Sequence, residues 1–201
     1  MPAPLRLLPR PTLPASQRGR RAAAGAGFTL VECLVTLSIA AVLVALAAPA
    51  LGRLLHSVHL STASNALMSS LRLARSEALR RGGRVALCRS ADGLSCATDG
   101  GWEQGWIVFH DLNANGVLDP GETLIERAEA LGGGLVLHGN APLASALTFT
   151  GMAGMRTVAG GLQAGTFTLC RPLDVPAVAR QIVIGSSGRA RVVQVTLDTC
   201  G

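Results

Sequence analysis

The 201-residue sequence predicts an α+β chain, with one long N-terminal helix packed on an antiparallel β-sheet or small β-sandwich head. Three observations carry this. Leu34 to Leu51 runs 18 residues without a charge and is rich in Leu, Val, Ala and Ile, which is long enough for a membrane-helix candidate. Downstream, Leu60, Ser64, Leu67, Leu71, Ala74 and Ala78 recur at alternating spacings of four and three, so they share one helical face. Beyond Gly82-Gly83 come short β-type runs separated by Gly-rich punctuation, the pattern of antiparallel strands. With 49% hydrophobic and 15% charged residues, a disordered or low-complexity chain is excluded.

The first element is residues 1–27. Five prolines from Pro2 to Pro14, then Arg18, Arg20 and Arg21, then the small run from Ala22 to Gly27 leave no folded element to expect. In an ordinary secretory signal the small residues follow the apolar segment. Here they precede it, so the apolar segment survives cleavage as an anchor. The arginines before the span, against Arg53 after it, put the N-terminus in the cytoplasm and everything beyond about residue 51 outside it. The net charge of +6 invites a nucleic-acid reading, but residues 1–27 hold five of the 18 arginines and none of the 12 acidic residues. From Phe28 onward the chain is nearly neutral, and only local clustering can argue for nucleic acid.

The second element is a single helix from Phe28 to about Arg81, ended by Gly82-Gly83. At 1.5 Å per residue it would reach about 80 Å, half in lipid or filament core and half packed on the head. Glu32 lies near the start of the span, where a carboxylate costs roughly 2.5 to 3.5 kcal/mol on insertion scales; it either sits at the headgroup boundary or has a cationic partner. The strands expected after the helix are Arg84 to Cys88, Gly105 to His110, Thr123 to Arg127, Leu135 to His138, Ala146 to Thr150, Thr166 to Cys170, Gln181 to Ile184 and Arg191 to Leu197.

Cys33 falls in the span and is expected to be a free, buried thiol. Cys88, Cys96, Cys170 and Cys200 lie in the exported part, where disulfides form. Of the three possible pairings, Cys88 with Cys96 closes a short local loop and Cys170 with Cys200 ties down the C-terminal residues, and this is the pairing expected. Zinc is the rival, but no Cys-x-x-Cys pair exists and His110 and His138 lack ligand spacing.

Asp111, Asn113, Asn115, Asp119 and Glu122 place oxygen side chains at loop positions 1, 3, 5, 9 and 12, with Gly116 at 6 and the Val117 carbonyl at 7. That is the spacing of an EF-hand calcium loop. The flanks read as strands, however, and Asn-rich, Gly-rich loops also make hairpin turns without an ion. Calcium binding and an ion-free turn both remain open, and no other cofactor is required. Near the C-terminus, Gly185-Ser186-Ser187-Gly188-Arg189-Ala190-Arg191 joins two strands and presents two guanidinium groups, which fall on one side if the strand has already begun at Arg189. Arg180 could extend this patch, whereas Arg72, Arg75, Arg80, Arg81 and Arg84 read as a solvated helix face or filament contacts.

Gly27-Phe28-Thr29-Leu30-Val31-Glu32 resembles the processing site of type IV pilins and of type II secretion pseudopilins. The resemblance implies that prepilin peptidase cuts between Gly27 and Phe28, that Phe28 becomes N-methylated, and that Glu32 pairs with an N-terminal amine during assembly. Pro49 matches a position where many pilins carry a helix-kinking proline. Leu71-Arg72-Leu73-Ala74-Arg75-Ser76-Glu77-Ala78, Val85-Ala86-Leu87-Cys88 and Gly105-Trp106-Ile107-Val108-Phe109 are similar to the FimT/GspH family of minor pilins and pseudopilins.

That family implies three parts: a leader over 1–27, a membrane and filament-core half-helix over 28–51, and a pilin-like head over 52–201. It implies a single-pass protein of the bacterial inner membrane, with its head in the periplasm or the extracellular filament. Its partners would be other pilin or pseudopilin subunits, prepilin peptidase and the inner-membrane assembly platform. Gly188, Arg189 and Arg191 resemble the Gly-Arg-x-Arg motif of FimT-type minor pilins that take up DNA, which makes DNA a further partner to test. An enzyme is not expected, since the four His are scattered and Gly185-Ser186-Ser187-Gly188 is not a Gly-x-Ser-x-Gly elbow.

Overall fold

The computed structural model describes residues 27–152, 154–172 and 176–200, less the side chains of Pro49 and Arg53. The leader expectations for residues 1–26 lie outside the described residues. The chain divides into two units, one ending at Leu46 and the other running from Ala47 to Gly201, and helix α1, Leu30–Arg81, contributes to both.

In the first unit α1 starts on a side-chain cap. The Glu32 amide donates to Thr29 Oγ1 at 3.2 Å and the Cys33 amide to the Thr29 carbonyl at 3.1 Å. Thr29-Leu30-Val31-Glu32 is a capping-box sequence, and the Glu32 carboxylate stands in the first turn, where the helix dipole favours negative charge. Further along, Thr36 and Ser38 turn their hydroxyls back onto the carbonyls of Cys33 and Leu34. What remains outward is apolar: Leu34, Val35, Leu37, Ile39, Val42 and Leu43 are all more than half exposed. The helix is long and apolar enough to cross a membrane, with an 18-residue window of mean hydropathy 2.5 of which nothing is buried. Cys33 is a free thiol as expected, but it is exposed on the helix, so any burial must come from lipid or neighbouring subunits.

The second unit buries the face that the 4-3 spacing marked. Leu60, Ser64, Leu67, Leu71, Ala74 and Ala78 are each at most 2% exposed. The helix ends at Arg81, and Gly82 takes the left-handed conformation (φ 63°) that closes a helix C-terminus at no steric cost to glycine. Eight strands follow: β1 Val85–Arg89, β2 Trp106–His110, β3 Thr123–Ala128, β4 Val136–Gly139, β5 Ala146–Phe149, β6 Gly165–Cys170, β7 Ala177–Ile184 and β8 Ala190–Leu197. They form two four-stranded antiparallel sheets, ordered β3-β2-β1-β5 and β4-β6-β7-β8. One core cluster gathers the helix face, Val85, Leu87, Val108, Leu147 and Phe149 from the first sheet, and Leu137, Phe167, Leu169, Ile182 and Ile184 from the second.

Because strand residues alternate between faces, each sheet has a second apolar surface to cover. On the first sheet it is Ala86, Cys88, Ile107 and Phe109; on the second it is Cys170, Ala177, Ala179 and Cys200. A disulfide sits in each of these clusters. The buried indoles are satisfied: Trp102 Nε1 donates to the Leu143 carbonyl at 2.9 Å, and Trp106 Nε1 to Ser70 Oγ on α1 at 2.9 Å. All eight expected strands are present. β7 begins four residues earlier than Gln181, because Ala177 and Ala179 are buried through packing rather than through bulk that a hydropathy reading would register.

Candidate functional site

At the N-terminal end, Phe28 is 78% exposed and Glu32 stands one turn into α1. The capping role of Thr29 was legible as a Thr-x-x-Glu pattern, yet the sequence reading assigned Glu32 only to the membrane and to assembly. Both expected cysteine pairings are found: Cys88 with Cys96, 8 residues apart, and Cys170 with Cys200, 30 apart. The first loop is organised by Arg89, whose guanidinium donates to the carbonyls of Ala97, Thr98 and Gly100.

The acidic loop connects β2 and β3. Asp111 is buried, and its two carboxylate oxygens accept from the amides of Asn115 and Gly116 at 3.1 Å each. Burial pushes the Asp111 carboxyl up from its ordinary pKa, and the Gly116 amide pulls against that shift. Asn113 and Asn115 both donate their side-chain amides to Asp119 Oδ2, at 2.8 and 2.7 Å, which holds the Asp119 pKa down. Their side-chain oxygens accept from backbone as well, Asn113 from the Asn115 amide and Asn115 from the Val117 amide. Glu122 accepts from the amides of Leu112 and Asp119. Ala114 is held at φ 64°, the left-handed region, by this network. Among the described residues no group of three or more His, Cys, Asp or Glu is placed to hold a metal ion.

The basic turn connects β7 and β8. Gly188, buried and at φ 73°, makes the reversal; its amide donates to the Gly185 carbonyl at 2.8 Å, and the Gly185 amide to the Arg189 carbonyl at 3.1 Å. Strand β8 begins at Ala190, after Arg189, so the expected one-sided pair does not form. Ala190 packs on the main core, Arg191 pairs in register with Val183 and projects from the opposite face, and Arg189 lines a cleft against α1. Arg180 does not extend the patch. It faces the helix and donates to Ser64 Oγ at 3.2 Å and to Ser61 Oγ at 2.7 Å.

The helix arginines divide. Arg80 and Arg81 are ion-paired with Glu77 at 2.6 and 2.8 Å, and their hydrogen bonds hold the Glu77 carboxyl down at a pKa of about 2. Arg72 and Arg75 line the same cleft as Arg189. The sequence reading missed this, since no spacing signal links positions more than a hundred residues apart.

Comparison with known proteins gives this arrangement a family. The sequence model of Type II transport protein GspH matches residues 63–197, and that of the prokaryotic N-terminal methylation motif matches residues 24–48. The pilin-like protein PilA1 of Thermus thermophilus is 32% identical over 166 residues, 83% of this chain and 97% of that protein. Two crystal structures of the type IV minor pilin FimU of Pseudomonas aeruginosa share the fold at TM-scores of 0.52 and 0.50, with 20% and 21% identity. Each match covers 71% of this chain, and 95% and 100% of the respective FimU chains. The chain therefore belongs to the GspH family of minor type IV pilins and pseudopilins, whose members are structural subunits and not enzymes.

Proposed function

We propose that the chain is an inner-membrane-anchored minor subunit of a type II secretion pseudopilus or a type IV pilus, with its head at or near the filament tip. Residues 1–27 are the leader removed by prepilin peptidase, 28–51 the membrane and filament-core half of the helix, and 52–201 the extracytoplasmic head. The observation that carries this reading is the contrast along α1: Leu34 to Leu46 presents an exposed apolar surface, whereas Leu60 to Ala78 buries one face in a β-rich core. An uncovered helix surface of that length needs lipid or other subunits around it. Cleavage after Gly27 would free the amine of Phe28, the cation that offsets the desolvation of a neighbouring subunit's Glu32 carboxylate.

Co-expression with a prepilin peptidase tests it. The intact mass should fall by residues 1–27 and rise by one methyl group, and a Gly27→Leu variant should stay uncut; an unprocessed wild-type chain would overturn the reading. Glu32→Gln separates assembly from capping, because Gln serves a capping box but carries no charge. The variant should be processed yet absent from filaments.

A second reading is favoured by Arg189 and Arg191, which are exposed and whose guanidinium groups, among the described residues, make no hydrogen bond or ion pair. On that reading the subunit binds DNA during uptake. Fluorescence anisotropy of a labelled duplex titrated with the full chain in nonionic detergent, at two salt concentrations, tests it. Salt-sensitive binding weakened in Arg189→Ala/Arg191→Ala supports it, and no binding by wild type at low salt leaves a structural subunit alone.

A further inference from the structure

Four guanidinium groups described above have partners within the head. Arg89 holds three backbone carbonyls, Arg80 and Arg81 hold Glu77, and Arg180 holds two serine hydroxyls. Arg72, Arg75 and Arg189 are different. They line one cleft of about 240 Å³ together with Met68, Leu71 and Gly188, and no carboxylate lines it. None of the three guanidinium groups makes a hydrogen bond or ion pair among the described residues, and Nε of Arg75 is buried without a partner.

A buried charged donor left without an acceptor is unfavourable, and three like charges around one cleft add to the penalty. An oxyanion seated among the three guanidinium groups relieves the crowding of charge. The guanidinium fork matches phosphate oxygens in pairs, and Met68 and Leu71 give the cleft an apolar floor. Three cations exceed what a single carboxylate from a neighbouring subunit neutralises, whereas a nucleic-acid strand supplies successive phosphates. The lining offers no aromatic platform for a base, so the contact would be to backbone and independent of sequence.

We propose that Arg72, Arg75 and Arg189 form a cleft that seats successive backbone phosphates of DNA. This deepens the DNA-binding reading above and rests on it. The test is anisotropy of a labelled duplex with the full chain in nonionic detergent. Arg72→Ala/Arg75→Ala should weaken binding ~10-fold or more and flatten the salt dependence by about one phosphate contact.

If the helix pair binds as wild type while Arg189→Ala/Arg191→Ala is weakened, the cleft is wrong and the DNA reading stands. If wild type binds no duplex at low salt, both fall. Inorganic pyrophosphate that raises the melting temperature of wild type alone, without duplex binding, would mark a site for free phosphates and overturn the DNA source. Near-UV circular dichroism of Trp102 and Trp106 checks that the variants fold. Should the alanine pair not fold, Arg72→Lys/Arg75→Lys keeps stems and charge while removing the fork, and should lose affinity with the salt slope retained; unchanged affinity would overturn the cleft.

Discussion

The β2–β3 connection, residues 111–122, and the β7–β8 connection, residues 185–189, both join antiparallel neighbours, yet they use charge in opposite ways. In the first, Asp111, Asp119 and Glu122 turn inward onto backbone amides and asparagine side chains. In the second, the backbone closes the reversal by itself through Gly185 and Gly188, and Arg189 is left facing a cleft. A charged group that satisfies its own loop builds structure, while one that the loop does not need is available to a ligand. Mutation should therefore damage stability in the first loop and binding in the second.

The largest expected effect is on Asp111. Asp111→Ala leaves the buried Gly116 amide without an acceptor, takes one of two acceptors from the Asn115 amide, and removes the tie that keeps Ala114 in the left-handed region, so the full chain should lose about 2 kcal/mol in urea unfolding. Leu112→Ala, one residue on and 65% exposed, should stay within about 0.5 kcal/mol. Equal effects would mean that the loop is not held by its carboxylate.

Calcium is the next way to break the comparison. The loop has EF-hand spacing, but Asp119 already accepts two asparagine amides and Glu122 two backbone amides, so an ion would have to replace those bonds. The expected result is no change in melting temperature with millimolar calcium. A weak extracellular-type site, with a dissociation constant of about 10⁻⁴ to 10⁻³ M, would instead add about 0.4 to 1.4 kcal/mol at 1 mM.

These two loops also mark how far the sequence could be read. The helix face from Leu60 to Ala78 was legible because a 3.6-residue period shows at short range, and the strands because glycine separates them. The cysteine pairs were legible because a short loop and a fraying terminus favour local closure. The division of the strands into two sheets was not, since pairing depends on contacts between distant segments. The cleft was hidden for the same reason: Arg72 and Arg75 have a helical neighbourhood in sequence, and only packing brings the β7–β8 turn to them. Strand β8 starting at Ala190 then parts Arg189 from Arg191, a one-residue matter of register that composition does not fix.

The smallest expected effect concerns Glu77, which decides which helix arginines are free. Its carboxyl is depressed from 4.5 to about 2 by its hydrogen bonds to Arg80 and Arg81. A depressed carboxyl stabilises the fold above the unfolded value, so this contribution is present above about pH 4.5 and is lost as pH falls toward 2. Arg80 is 64% exposed and water screens the pair, which keeps the loss within about 1 kcal/mol. Glu77→Gln should erase that slope in an acid unfolding series. It also releases two arginines between one and two helical turns beyond Arg75, and this sharpens the comparison: if any free guanidinium on the head can serve DNA, affinity should rise severalfold. If the shape of the cleft selects Arg72, Arg75 and Arg189, affinity should stay within about twofold, because added charge outside the cleft contributes only a screened, long-range attraction.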